Sequence, residues 1–183
     1  PKSNFFEGLK GMAVNAVAKK AVLTYNIDQP KPTGTTRVVI CDLETGKAGT
    51  VASHPSQMVP MALHDDGKRI LMRRADWGFG NSNRVEIWTL KGSKVVRHLE
   101  FEPYAVLKGW DVDCHWGQFL DDERFITCGT KGRVAIWKIE TGELLSYFQT
   151  DGAAPALSPD KQHLVFADDG HVCVYDIANE KVL

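Results

Sequence analysis

Val85-Glu86-Ile87-Trp88-Thr89-Leu90-Lys91-Gly92-Ser93-Lys94 is the stretch whose reading decides the fold, because the chain writes it four times. The other copies are Val38-Val39-Ile40-Cys41-Asp42-Leu43-Glu44-Thr45-Gly46-Lys47, Val134-Ala135-Ile136-Trp137-Lys138-Ile139-Glu140-Thr141-Gly142-Glu143 and Val172-Cys173-Val174-Tyr175-Asp176-Ile177-Ala178-Asn179-Glu180-Lys181. All four align without a gap on Cys41, Trp88, Trp137 and Tyr175, at intervals of 47, 49 and 38 residues. β-Branched and aromatic residues alternating over so few positions, then a turn signal, read as a strand entering a tight turn. Gly46 and Gly142 stand where such a turn asks for positive φ, a conformation that costs glycine little.

An earlier hairpin precedes each copy. Met61–Leu71 holds apolar residues on both sides of Asp66-Gly67, and 118–126 and 156–165 repeat the arrangement around Asp122 and Ser158-Pro159-Asp160. Short β-branched runs separated by turn residues favour hairpins over helices. The first copy, Val14–Leu23, has the weakest turn signal and can be misread as a short helix. Each unit therefore reads as a four-stranded antiparallel meander, strands a to d. The expected boundaries are about 9–58, 59–108, 109–152 and 153–183 within one domain, with the last meander stopping where its fourth strand should begin.

These motifs resemble those of a degenerate WD-repeat β-propeller, and the resemblance covers nearly the whole chain. Trp88 and Trp137 match the family's tryptophan, Tyr175 is an aromatic substitute, and Cys41 departs from it. The following Asp is kept as Asp42 and Asp176 and replaced by Thr89 and Lys138. The family's structural Asp in the b–c turn matches Asp169 alone; Ser82 and Lys131 stand at the corresponding places. The glycine–histidine start survives only as Ser53-His54, so no unit carries the complete hydrogen-bonding tetrad. Trp110-Asp111 is a decoy, since it precedes strand a of the third unit. The resemblance implies an all-β fold of about four blades, the last incomplete. Such propellers usually have more blades, and an open arc leaves edges and apolar faces uncovered. Further blades in a parent chain are therefore expected; the alternative is a closed four-bladed ring in which Asn4–Leu9 supplies the missing strand.

Composition narrows the function. Lys and Arg number 22 against 23 Asp and Glu, and basic residues cluster no further than pairs such as Lys19-Lys20. Nucleic-acid binding draws on a clustered positive field, so no nucleic acid is expected. No apolar run approaches the roughly 18 residues of a membrane-spanning helix, and no membrane partner is expected. Of the four cysteines, Cys41 and Cys173 read as small core residues, and Cys114 and Cys128 could meet across a hairpin.

The a–b and c–d turns share one end of each meander and are short. The b–c and d–a connections share the other end and are individual: Asn26–Thr36 holds Pro30 and Pro32, 75–83 holds Trp77 and Phe79, and 102–111 holds Tyr104 and Trp110. Trp77, Phe79, Tyr104 and Trp110 are thus candidate partner-binding anchors, large aromatics on the loops of a rigid scaffold; the competing reading is that they cap gaps between blades. Asp111, Asp113 and His115 alternate, so an extended segment would put all three on one face. They are a weak metal candidate without a fourth ligand, and turn or solvation roles are preferred. Asp65-Asp66-Gly67 and Asp168-Asp169-Gly170 read as turns. Gly46-Lys47 lacks the rest of a phosphate loop, and Ser158 lacks a nucleophile elbow. No residue set meets the requirements of acid–base or nucleophilic catalysis, and no cofactor is expected. The expected function is a non-catalytic protein–protein interaction scaffold with its partner surface at the b–c and d–a end. The alternatives are a propeller enzyme or ligand-binding domain completed by other blades, or a regulatory sensor attached to a signalling protein.

Overall fold

In the computed structural model the described residues are 6–28, 32–54, 56–75, 84–91, 94–104, 114–129, 131–151 and 155–183. Among them the secondary structure is strand and turn, without helix. The first sheet comprises β1 (Phe6–Asn15), β2 (Lys20–Asp28), β3 (Pro32–Asp42) and β4 (Ala48–His54). The second comprises β5 (Met58–Leu63), β6 (Arg69–Arg74), β7 (Val85–Lys91) and β8 (Lys94–Phe101). The third comprises β9 (Cys114–Phe119), β10 (Arg124–Gly129), β11 (Arg133–Lys138) and β12 (Leu144–Gln149). The fourth comprises β13 (Ala156–Leu157), β14 (His163–Asp168), β15 (His171–Asp176) and β16 (Lys181–Val182). In every sheet, chain order is spatial order and each pairing is antiparallel. These are the propeller-like meanders expected.

The repeat extends to individual hydrogen bonds. Two residues beyond each anchor, a backbone N–H reaches the carbonyl at the entry of the second strand. Leu43 donates to Lys19 at 2.9 Å, Leu90 to Lys68 at 2.9 Å, Ile139 to Glu123 at 2.7 Å and Ile177 to Gln162 at 2.9 Å. The anchors pair accordingly with Ala21, Ile70, Phe125 and Leu164. Four sequence copies thus become four copies of one register.

Two boundaries differ from expectation, and the first hairpin matches it. Strand β1 begins at Phe6, and Phe6–Leu9 pair with Tyr25–Asp28, so these residues belong to the first sheet and do not complete the last one. Val14–Leu23 is a hairpin: Ala16–Lys19 form its turn, with Lys19 at φ 52. The last sheet does gain a fourth strand, two residues long, with Tyr175 opposite Val182.

The turns at the a–b and c–d end are locked by their own side chains. Asp66 Oδ1 accepts the N–H groups of Lys68 and Arg69 at 2.7 and 3.0 Å, and Arg69 Nε donates to Asp66 Oδ2 at 2.8 Å. Asp121 repeats this clamp with Glu123 and Arg124. Partial burial works against ionisation of Asp66, but these donors outweigh it and hold the carboxyl at about 2. Gly46 and Gly142 close the c–d turns at φ 67 and 70, as their positions require.

The chain divides into two compact units, Pro1–Glu102 with the first two sheets and Pro103–Leu183 with the last two. Within the first, Val22 and Val38 meet Met58, Leu63, Ile70, Met72 and Trp88. Gly11 permits the close approach, since a Cβ there would lie 2.6 Å from Val59 Cγ1 and 2.9 Å from Pro60 Cδ. Asn15 Nδ2 fastens the same sheets by donating to Leu63 O at 2.8 Å and Asp65 Oδ1 at 2.7 Å. Within the second unit, Ile126, Cys128, Val134 and Ile136 pack on Leu164, Phe166, Tyr175 and Ile177. Phe148 stacks on Tyr175 with ring centroids 4.2 Å apart. Each such aliphatic side chain contributes roughly 1.5–3 kcal/mol by leaving water.

Candidate functional site

The polar chemistry of the interior gathers at the two tryptophan anchors. On β7 the side chains of Glu86 and Trp88, two residues apart, share one face, and both are buried. The indole N–H donates to Glu86 Oε2 at 2.6 Å. His54, at the end of β4 in the neighbouring sheet, lies tilted against the indole with centroids 5.4 Å apart, and its Nε2 is 4.0 Å from the same carboxylate oxygen. His54 Nδ1 accepts the N–H of Ser56 at 3.1 Å, so in the neutral ring the proton sits on Nε2, facing Glu86. From β8, Arg97 Nε comes within 3.7 Å of the same oxygen. A carboxylate taken out of water is expensive unless it is paired and hydrogen-bonded, and here an indole and a guanidinium surround it.

The second cluster solves the same problem without charge. Trp137 Nε1 donates to Thr127 Oγ1 at 2.8 Å. Tyr104 Oη is 2.9 Å from that hydroxyl and donates to the Arg133 carbonyl at 2.9 Å. With the phenol proton on that carbonyl, the threonine proton must point at the phenol oxygen, and every polar hydrogen in the chain of three has an acceptor. The Tyr104 ring stands edge-on to the indole at 6.0 Å. Burial pushes the Tyr104 phenol well above its ordinary value. Its backbone is left-handed at φ 68, a conformation unfavourable for a bulky residue and held here by this network.

Tyr104 therefore corrects the sequence reading. Expected as a partner-facing anchor, it has no exposed surface and closes an internal hydrogen-bond chain. Trp77, Phe79 and Trp110 lie outside the described residues, as do Asp111 and Asp113. His115 is half-buried on β9. Among the described residues no three His, Cys, Asp or Glu side chains are grouped closely enough to hold a metal ion. Asp169 is exposed; its backbone, at φ 46, makes the β14–β15 turn, and its N–H donates to Asp151 at 2.5 Å. Cys41 is half-buried at the position of the tryptophans. Cys114 and Cys128 are buried and form no disulfide with each other, and burial raises Cys128 to about 11, away from reactive thiolate chemistry.

Two surface features lie outside these clusters. Arg84 leads out of the 75–83 connection into β7, and its guanidinium donates to Glu100 Oε1 at 3.0 Å and Glu102 Oε1 at 3.2 Å. Both acceptors lie where β8 passes into the 102–113 connection, so the two aromatic loops leave the same end of the second sheet. In the second unit, a shallow cleft of about 250 Å³ is lined by Trp116, Gln118, Leu157, Ser158, Pro159 and Lys161. Its wall pairs an indole face with an amide and an ammonium group, and Ser158 is engaged by Asp160 and the His163 N–H.

No protein-family model matches this sequence, and a comparison with curated proteins finds no match.

Proposed function

We propose that the chain is a WD-type propeller segment acting as a non-catalytic protein–protein interaction scaffold, with its partner surface on the connections 75–83 and 105–113. The observation that carries this reading is the Arg84 clamp onto Glu100 and Glu102, which ties the start of β7 to the end of β8, the strand ends next to the aromatic-bearing stretches 75–83 and 105–113 of the sequence. Loops that carry Trp77, Phe79 and Trp110 on such a base have the composition of interface anchors. The short turns of the opposite end are occupied with their own Asp clamps.

The internal clusters support the WD-type resemblance. Trp88 and Trp137 are both hydrogen-bonded inside their sheets at the family's tryptophan position, and His54 of the Ser53-His54 pair approaches the first. Glu86, Thr127 and Tyr104 replace the usual partners. Titratable and hydroxyl groups in these clusters are committed to holding strands together and face no open site, which favours binding over catalysis.

The test is chemical crosslinking and mass spectrometry on the protein with partners captured from its own source, comparing it with a Trp77→Ala/Trp110→Ala variant of unchanged circular dichroism. Crosslinks concentrated at 75–83 and 105–113 and lost in the variant support the proposal. An identical partner set captured by the folded variant refutes the surface.

A further inference from the structure

The two units share one register and at one place use it differently. Register matching through the second strands makes Trp116 and Gln118 of β9 the counterparts of Gly11 and Ala13 of β1. In the turns, Lys161 N–H donates to Ser158 O as Gly67 N–H donates to His64 O, each at 2.9 Å. Leu157, Ser158, Pro159 and Lys161 therefore stand where Leu63, His64, Asp65 and Gly67 stand in the second sheet. The cleft that these residues line in the second unit thus has a counterpart place in the first.

In the first unit that place is closed. Asn15 Nδ2 crosses it to Leu63 O and Asp65 Oδ1, Lys20 Nζ reaches Gly67 O at 3.5 Å, and Gly11 lets the neighbouring strand come against it. In the second unit Leu120, which has no side-chain donor, replaces Asn15, and an indole and an amide replace glycine and alanine. About 250 Å³ between β9 and the β13–β14 turn is left open. Lys161, at φ 60, occupies the left-handed position that Gly67 fills at φ 64, so a cationic side chain stands where the other turn has none. That conformation suits glycine better than lysine.

Of the residues lining the cleft, Lys161 carries the charge. Its neighbour Asp160 is committed to the turn, where Oδ1 accepts the Ser158 hydroxyl at 2.5 Å and the Gln162 N–H at 3.0 Å. Trp116, Leu157 and Pro159 supply apolar surface, and the Gln118 amide can both donate and accept. A cation beside an aromatic wall selects an anion with a flat apolar body. One ammonium group suits a carboxylate better than a phosphate, whose larger charge and three oxygens call for several donors. At about 250 Å³ the cleft is smaller than the roughly 300–1,000 Å³ of drug-sized sites, so its occupant is a small molecule. We propose that this cleft binds a small aromatic carboxylate, with the ring against Trp116 and Leu157 and the carboxylate on Lys161 and Gln118. The site belongs to the second unit and is independent of the partner surface proposed above.

The test is an NMR titration of the isotopically labelled chain with benzoate, with benzamide, which lacks the charge, and with acetate, which lacks the ring. Benzoate is expected to shift the Trp116 indole and Lys161 amide signals saturably, with a Kd of about 1 mM or tighter. Benzamide and acetate are each expected to bind about threefold or more weaker, since each gives up one of the two contacts. Lys161→Gly installs the residue that the second sheet carries at this position, so the turn is kept while the ammonium group is removed. It is expected to weaken benzoate about threefold or more. No saturable shift of these signals at the highest benzoate concentration overturns the proposal. So does a loss of less than about threefold in Lys161→Gly, or benzamide or acetate binding within about threefold of benzoate.

Discussion

Replacing Thr127 by Val removes one oxygen and nearly nothing else, because the two side chains have the same shape. In the folded protein that oxygen accepts the Trp137 indole N–H at 2.8 Å and meets Tyr104 Oη at 2.9 Å, and all three residues are buried. Tyr104 keeps its bond to the Arg133 carbonyl, but the buried indole N–H loses the hydroxyl that accepts it. Leaving a buried donor unpaired costs about 1–3 kcal/mol, and losing the threonine–tyrosine bond adds about 1 kcal/mol. The expected destabilisation is about 2–4 kcal/mol, a large share of the 5–15 kcal/mol typical of a domain. Urea unfolding followed by far-UV circular dichroism reads it as a lower midpoint at unchanged slope. The cycle with Trp137→Phe isolates the cause: without an indole N–H to strand, the valine should cost about 1 kcal/mol or more less. If Thr127→Val lies within about 0.5 kcal/mol of wild type, or costs the same in both backgrounds, the reasoning fails.

Further outcomes follow from single contacts. Gly11→Ala should lower stability by about 1–3 kcal/mol although alanine is the better strand residue, because its Cβ would press on Val59 and Pro60; the same urea titration checks it. Asp66 has a folded pKa of about 2, depressed from its ordinary 3.8, so its stabilisation is fully present above about pH 4 and is lost as pH falls through 2. The group is partly exposed to solvent, which discounts the gain to about 1 kcal/mol. Asp66→Asn should therefore narrow the stability difference between pH 5 and pH 2 measured by thermal unfolding. Glu86→Ala, which strands the Trp88 N–H and leaves Arg97 without its buried counter-charge, should cost about 3 kcal/mol, and Glu86→Gln less than half of that.

The strands around Cys41, Trp88, Trp137 and Tyr175 were legible because local alternation and a turn residue suffice to define them, and the register needs no distant information. The two-residue strand Lys181–Val182 was not, since it has too few residues to show any period. The interior clusters were half legible. Glu86 stands where the other copies carry Val39, Ala135 and Cys173, and a carboxylate at a core position signals a buried partner. Thr127 is the one hydroxyl inside Phe125-Ile126-Thr127-Cys128, two residues beyond the partner of Trp137. What sequence hid was the third member. Tyr104 comes from a connection 23 residues away from Thr127, and in a loop an aromatic looks the same whether it faces water or a core. Only the position of Arg133 O and Thr127 Oγ1 decides that its hydroxyl points inward.

The claim on which all of this rests is that one register recurs in four sheets. It makes Val22–Ile40, Leu71–Ile87, Ile126–Ile136 and Val165–Val174 directly opposed pairs lying between hydrogen-bonded ones, where antiparallel α-carbons come within about 4.5 Å. Nuclear Overhauser spectroscopy on the isotopically labelled chain measures these distances one pair at a time. The account predicts a strong Hα–Hα cross-peak for all four. Sequential amide–amide peaks through 85–90 or 172–177, the mark of helix, would contradict it, as would cross-peaks joining these pairs in any other register.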